Sequence, residues 1–170
     1  MTSSLIDKID KNVRLIKYLL THKAFVTWAA LFKVKGVPLL QILLHDLSKF
    51  SCAEYQAYRR KFRPIDGEDP LPDLEWDRAL LHHYNTNQHH PEHWRIDNRL
   101  IPIPDKFVKE MVADWLGATR ALRGTWDLSG FLNSRFKDFQ FHAETEAKIK
   151  KELERLGYVY NRAWFRPSDE

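Results

Sequence analysis

The chain has 170 residues, 44% of them hydrophobic and 13% aromatic, which suits one compact domain with its own core and excludes a disordered chain. The formal net charge of +4 suits an anionic ligand without demanding nucleic acid. No apolar run approaches the roughly 20 residues of a membrane span, the charged N-terminus MTSSLIDKIDKNVRLIK is not a secretory signal, and the lone cysteine, Cys52, excludes an intramolecular disulfide framework. The expected location is cytoplasmic, with no membrane partner.

Residues 4–20 place Leu5, Ile6, Ile9, Val13, Ile16, Leu19 and Leu20 at three- and four-residue spacing, which predicts an amphipathic helix. A second helix is expected over 22–34, stopping at Gly36 and Pro38, and a third over 38–50. A fourth follows over 51–62, where Ser51 and Glu54 have the spacing of a capping box. Its end, YRRKFR at 58–63, is the densest basic stretch and reads as a solvated face ahead of a phosphate site. RPIDGEDPLPD is a loop by its prolines and glycine. LEWDRALLHHYN is helical, a polar segment with Pro91 follows, and RLIPIPD is extended because residues before proline avoid the helical region. Pro104 and Asp105 open the helix KFVKEMVADWLGATRAL, and ETEAKIKKELERLG closes on Gly157 in the C-cap position. Strand-like alternation is nearly absent and no repeat emerges, so the expected fold is a single all-α domain over 1–170.

The placement of the histidines matters more than their number. His45, His82, His83, His89, His90 and His93 lie close to turns or helix ends alongside Asp46. Imidazole and carboxylate together suit divalent transition metals. Adjacent residues on a helix point about 100° apart, so His45 and Asp46 can face one ion only where the helix end is tilted towards it. Asp114 stands between Ala113 and Trp115 on an otherwise apolar helix, where a carboxylate is costly to bury without a partner.

HDLSK at 45–49 resembles the His-Asp doublet of the HD-domain metal-dependent phosphohydrolase superfamily, whose members often continue as HD-x-G-K. Here Ser48 stands in place of that glycine, which weakens the match to one subfamily and not to the metal site. The superfamily pattern is a histidine on an earlier helix, the doublet, and a distant aspartate on a later one. It implies His22, His45, Asp46 and Asp114 as ligands. Two-metal members add one histidine and then an adjacent pair, and HHYNTNQHH resembles this arrangement: His82 or His83 first, then His89 and His90. The whole pattern HDLSKF…HHYNTNQHHPEHW…EMVADW is similar to a small HD-like family of phages and bacteria. The resemblance covers about 20–120 and implies an HD-like helical bundle, with 125–170 a C-terminal helical extension.

Several neighbours have a functional and a plain reading. Lys49, one turn after His45, either neutralises a phosphate or lies on the surface. Glu110, one turn before Asp114, orients a ligand or acts as a base. Asn85, Asn87 and Glu92 sit among the histidines, where they can position water or substrate. Arg120 and Arg123 either meet phosphates or are solvated. Trp94 is the candidate for base stacking and the other tryptophans read as core; His142 reads as structural.

The resemblance implies a phosphohydrolase using one or two divalent ions (Mn, Zn, Fe, Co or Ni) to activate water on a small phosphoester, a nucleotide above all. Asp46, Lys49 and Glu110 are the expected catalytic residues, and Lys49, Asn85, Asn87, Arg120 and Trp94 the expected substrate contacts. Two other readings remain open: a di-iron oxygenase and a non-catalytic metal- or nucleotide-binding module. A homo-oligomer is compatible with the sequence.

Overall fold

The apolar periodicity of the first 34 residues contains no breaker at Thr21, and it forms one element where two helices are expected. In a computed structural model, which describes residues 2–159 with Asn161 and Trp164 and side chains from Leu5 onward, α1 spans Thr2–Trp28. It continues as a π-helical turn, Ala29–Val34, and ends where Lys35 and Gly36 turn left-handed at φ 61° and 77°.

The segment expected as a helix over 38–50 divides in two. α2 covers only Leu39–Leu44, and a 3-10 turn covers Leu47–Phe50. Between them Asp46 adopts a left-handed conformation, φ 56°, a region that aspartate tolerates better than most residues. Lys23 of α1 fixes this break by donating to the carbonyls of Leu43 and His45, both at 2.8 Å, so it caps the C-terminal end of α2.

α3 (Tyr55–Phe62) and α4 (Asp73–Thr86) follow, and the proline-rich loop between them is pinned back. Arg59 donates to Glu68 at 2.8 Å and Arg60 to Glu75 at 2.8 Å. Hydrogen bonding from Arg59 holds the Glu68 carboxyl down at about 2. Arg59 is therefore buried, and YRRKFR is not simply a solvated face. After α4 comes a 3-10 turn, Pro91–Trp94, and a hairpin of β1 (Arg95–Ile96) and β2 (Arg99–Leu100), pairing Arg95 with Leu100 and Ile96 with Arg99. Its turn residues Asp97 and Asn98 both have positive φ, as a two-residue hairpin requires.

α5 (Asp105–Arg123) is the central element, burying Phe107, Val108, Met111, Val112, Trp115 and Leu116. Its main partner is α1, and the two approach closely at one point. A Cβ on Gly117 would lie 2.7 Å from the backbone nitrogen of Val26. α6 (Ser129–Ser134), a 3-10 turn at Phe136–Asp138 and α7 (Ala143–Arg155) complete the chain. His142 caps α7, its Nδ1 accepting from the Glu144 backbone N–H at 3.2 Å, and Gly157 follows α7 with positive φ. Among the tryptophans, Trp115 and Trp164 are buried, whereas Trp28 is half exposed and stacks on Trp126 with ring centroids 4.6 Å apart. The described residues form a single all-α domain, and no helix among them is long and apolar enough to cross a membrane.

Candidate metal centre

The break after α2 is what brings His45 and Asp46 to one place. Because Asp46 is left-handed and outside the helix, its carboxylate turns back beside the His45 ring: Oδ2 lies 3.6 Å from His45 Nε2 and 3.4 Å from His22 Nε2. α5 supplies Asp114, with Oδ1 at 3.1 Å from His22 Nε2 and 3.5 Å from His45 Nε2. His22 comes from α1, four residues before the close contact of Val26 with Gly117, which itself lies three residues beyond Asp114. One ligand atom each from His22, His45, Asp46 and Asp114 fits within 4.8 Å of the others.

A second group meets the opposite oxygen of Asp46. Oδ1 lies 3.6 Å from His83 Nε2 and 3.6 Å from His89 Nε2, and His90 Nε2 is 2.9 Å from His83 Nε2. Asp46 is thus shared, with Oδ2 facing His22 and His45 and Oδ1 facing His83 and His89. The two adjacent histidine pairs behave differently. His83 is buried and turned inwards, while His82 is partly exposed and turned outwards. His89 and His90 both face the centre, their rings 4.3 Å apart.

Two carboxylates aim these rings. Glu110 accepts from His45 Nδ1 at 2.9 Å and lies 3.3 Å from His89 Nδ1, while its other oxygen accepts from Gln41. Glu54, fully buried, accepts from His83 Nδ1 at 2.9 Å and His82 Nδ1 at 2.7 Å. With Nδ1 held against a carboxylate, each ring of His45, His83 and His89 turns Nε2 inwards, the orientation that metal-binding histidines need.

Burial alone would raise the carboxyls and lower the imidazoles, but the charges around them win. Lys49, 2.5 Å from Asp46 Oδ2, together with His45 and His22 holds Asp46 well below the usual carboxylate range. The imidazoles of His22 and His45 beside it do the same for Asp114. Burial is outweighed at His45 by Asp46, Asp114 and Glu110, which push it up to about 10. Glu110 is held down at about 2 by His45 and His89. His90, beside His89 and His83, is driven well below the usual histidine range by burial and then by those neighbours, which leaves a neutral imidazole.

The fit to a cation rests on unsatisfied atoms. Among the described residues, the buried side-chain nitrogens and oxygens without a hydrogen-bond partner are both nitrogens of His22, His45 Nε2, Asp46 Oδ1, His89 Nε2 and Ser51 Oγ. All but the last belong to this cluster. Buried polar groups are nearly always satisfied, so their concentration on converging imidazole and carboxylate atoms matches a divalent transition metal.

A family model matches residues 11–155. The chain belongs to DUF5662, a family of unknown function. No curated protein and no solved structure matches the chain. The span that DUF5662 covers contains every residue of the centre, from His22 to Asp114.

The other sequence candidates divide by position. Lys49 is largely buried against Asp46 and under Tyr58, so it is no surface lysine. Asn87 is buried and donates to Ser48 Oγ at 2.7 Å and to the His83 carbonyl at 2.9 Å, bracing the His83 ring from behind. Asn85 and Glu92 are exposed. Trp94 donates to the Gln88 carbonyl at 2.7 Å and packs on Phe107. Arg120 donates to the Gly124 carbonyl and lies over Phe25 and Trp126, outside the cluster. Sequence reasoning overlooked Glu54, whose carboxylate serves two histidines instead of closing a capping box; its helix begins without a side-chain cap. It also treated Ser48 only as a departure from a pattern, although its hydroxyl accepts from Asn87. Tyr18, stacked on His22 with centroids 6.2 Å apart, carried no motif to reveal it.

Proposed function

We propose that this protein is a metal-dependent phosphohydrolase of the HD type, acting on a small phosphoester such as a nucleotide. The observation that carries the reading is the gathering of partnerless ligand atoms from His22, His45, Asp46 and His89 in one buried cluster, on the two sides of the Asp46 carboxylate. His22, His45, Asp46 and Asp114 would hold one ion, and Asp46, His83, His89 and His90 have the donors for a second. A divalent ion bound there supplies Lewis acidity, lowering the pKa of water towards neutrality and polarising a phosphoryl oxygen.

The chain's own residues support a phosphorylated substrate. Tyr18, which stacks on His22, also lines a groove of about 500 Å³ with Lys11, Arg14, Lys17 and Arg63. Those cations can hold an anionic tail while its reacting group enters beside His22. Lys49 keeps its proton, because Asp46 outweighs the effect of burial on its ammonium, and so offers a fixed positive charge for the equatorial oxygens. Glu110 has both oxygens engaged and a lowered pKa, which supports an orienting role over that of a base.

The test is elemental analysis of protein purified without chelator, beside Asp46→Ala, followed by hydrolysis assays with nucleoside mono- and triphosphates. Roughly one or two equivalents of manganese, zinc, cobalt or nickel, lost in the variant and accompanied by phosphate release, is the expected outcome. Iron at two equivalents with oxygen consumption would favour oxygenase chemistry. Empty wild type that cannot be loaded with any of these ions would sink the reading.

A further inference from the structure

One face of the molecule is built like half of a helical interface. Ile6, Ile9, Val13, Ile16 and Leu20 recur along α1 at alternating three- and four-residue steps, the a/d spacing of a heptad. They do not point at the core, which α1 meets through Leu15, Leu19, His22 and Val26. All five are between 39% and 67% exposed. The next seam position is Lys23, whose ammonium is turned away to the carbonyls at the end of α2. There the seam runs onto α2, where Leu39, Leu40, Leu43 and Leu44 are each more than half exposed. Such a contiguous apolar surface exceeds what monomers ordinarily leave to water.

A standard interface covers about 800 Å² and 20–30 residues on each partner, and these nine exposed apolar side chains of α1 and α2 would form its centre.

We propose that this face joins two copies of the chain, with the two α1 helices packed antiparallel about a two-fold axis near residues 14–15. That register sets Val13 against Ile16 of the second copy and Ile9 against its Leu20. The N-terminal end of each seam, Leu5 and Ile6, then covers the α2 leucines of the other copy, so one contact closes both apolar surfaces. It also places Asp10 of each chain beside Lys17 of the other, two reciprocal opposite-charge pairs on the solvent flank. A parallel pairing would set Asp10 beside Leu5 and Lys17 beside Asn12 of the second copy, forming neither charge pair, and leave both α2 faces open. An isologous contact of this kind is closed and generates no fibre.

Sedimentation equilibrium of the full chain at micromolar concentrations tests the proposal, beside a Val13→Glu/Ile16→Glu variant. The wild type is expected at twice 20.2 kDa and the variant at half that mass, with unchanged helical circular dichroism because neither side chain is buried in the monomer. Orientation is read from disulfide formation in a Cys52→Ser background. Mixed Ile9→Cys and Leu20→Cys chains should cross-link to each other, and neither should cross-link alone. A monomeric wild type overturns the proposal, and its co-sedimentation with anionic phospholipid vesicles would assign the face to a membrane surface instead. A variant that stays dimeric, or self-cross-linking of Leu20→Cys, overturns it as well.

Discussion

At the residue scale, the centre depends on which nitrogen of each histidine carries its proton. Glu110 receives Nδ1 of His45 and lies against that of His89, and Glu54 receives Nδ1 of His83, so three Nε2 atoms face inwards, where an ion can take the place of a proton. Glutamine keeps the volume of glutamate but can turn its amide N–H₂ towards Nδ1, which then accepts and shifts the imidazole proton to Nε2. Glu110→Gln and Glu54→Gln should therefore each weaken metal binding by about 10- to 100-fold, the usual effect of losing such a partner. Competition with a chromogenic chelator measures this directly. Glu110→Gln should have the larger effect, because two rings depend on it. His82→Ala is the control: its ring is partly exposed and turned outwards, so affinity should stay near wild type. Equal losses in all three variants would mean that the carboxylates act through general packing and not through the tautomer.

At the element scale, the parts of the fold with a strong local signal were legible and those set by tertiary demand were not. The apolar run around Asp114, the C-terminal helix and the proline-rich loop all declare themselves through periodicity and turn residues. The expected boundary near Thr21 does not exist, because nothing in that stretch interrupts a helix. The break at Asp46 had no glycine or proline to mark it; Lys23, 22 residues away from His45, caps α2 there. The Ser51–Glu54 spacing matched a capping box, yet Glu54 is drawn to His82 and His83, a contact 28 residues distant that local reading cannot see. The clustered histidines and aspartates were legible because the resemblance named them, whereas Glu54 and Gln41, which brace them, belong to no motif and Ser48 entered only as a departure from one. The α1–α5 crossing has the same character. Gly117 reads as a helix-weakening residue, but Val26 occupies the space its side chain would need. A methyl group there forces the two helices apart, which should cost about 1–3 kcal/mol by overpacking. Since Val26 is one turn from His22 and Gly117 one turn from Asp114, Gly117→Ala should also reduce metal content. Denaturant unfolding and elemental analysis of the variant measure the two effects. Lost stability with full metal content would show that the crossing supports the core without setting the site.

At the scale of the whole molecule, the centre is where the helices are tied together. It takes His22 from α1, His45 and Asp46 from the end of α2, His83 from α4, His89 and His90 from the loop after it, and Asp114 from α5. The carboxylates of Asp46, Asp114 and Glu110 are crowded into this small volume, with Lys49 and the surrounding imidazoles as their counter-charges. An ion coordinated by these carboxylates and imidazoles would bind the folded chain and not the unfolded one, in which the groups are scattered over some 90 residues of sequence. Stability must then rise with free metal: at a concentration 100 times the dissociation constant the gain is about 2.7 kcal/mol. For a domain of this size 1 kcal/mol corresponds to about 2–4 °C, so the melting temperature should increase by roughly 5–10 °C and fall back on adding chelator. A His45→Ala/Asp46→Ala variant removes donors on both sides of the centre and should melt at one temperature with or without metal. If that variant gained as much from the ion as the wild type does, the stabilising site would lie elsewhere, and the convergence of these helices would have to be explained by packing alone.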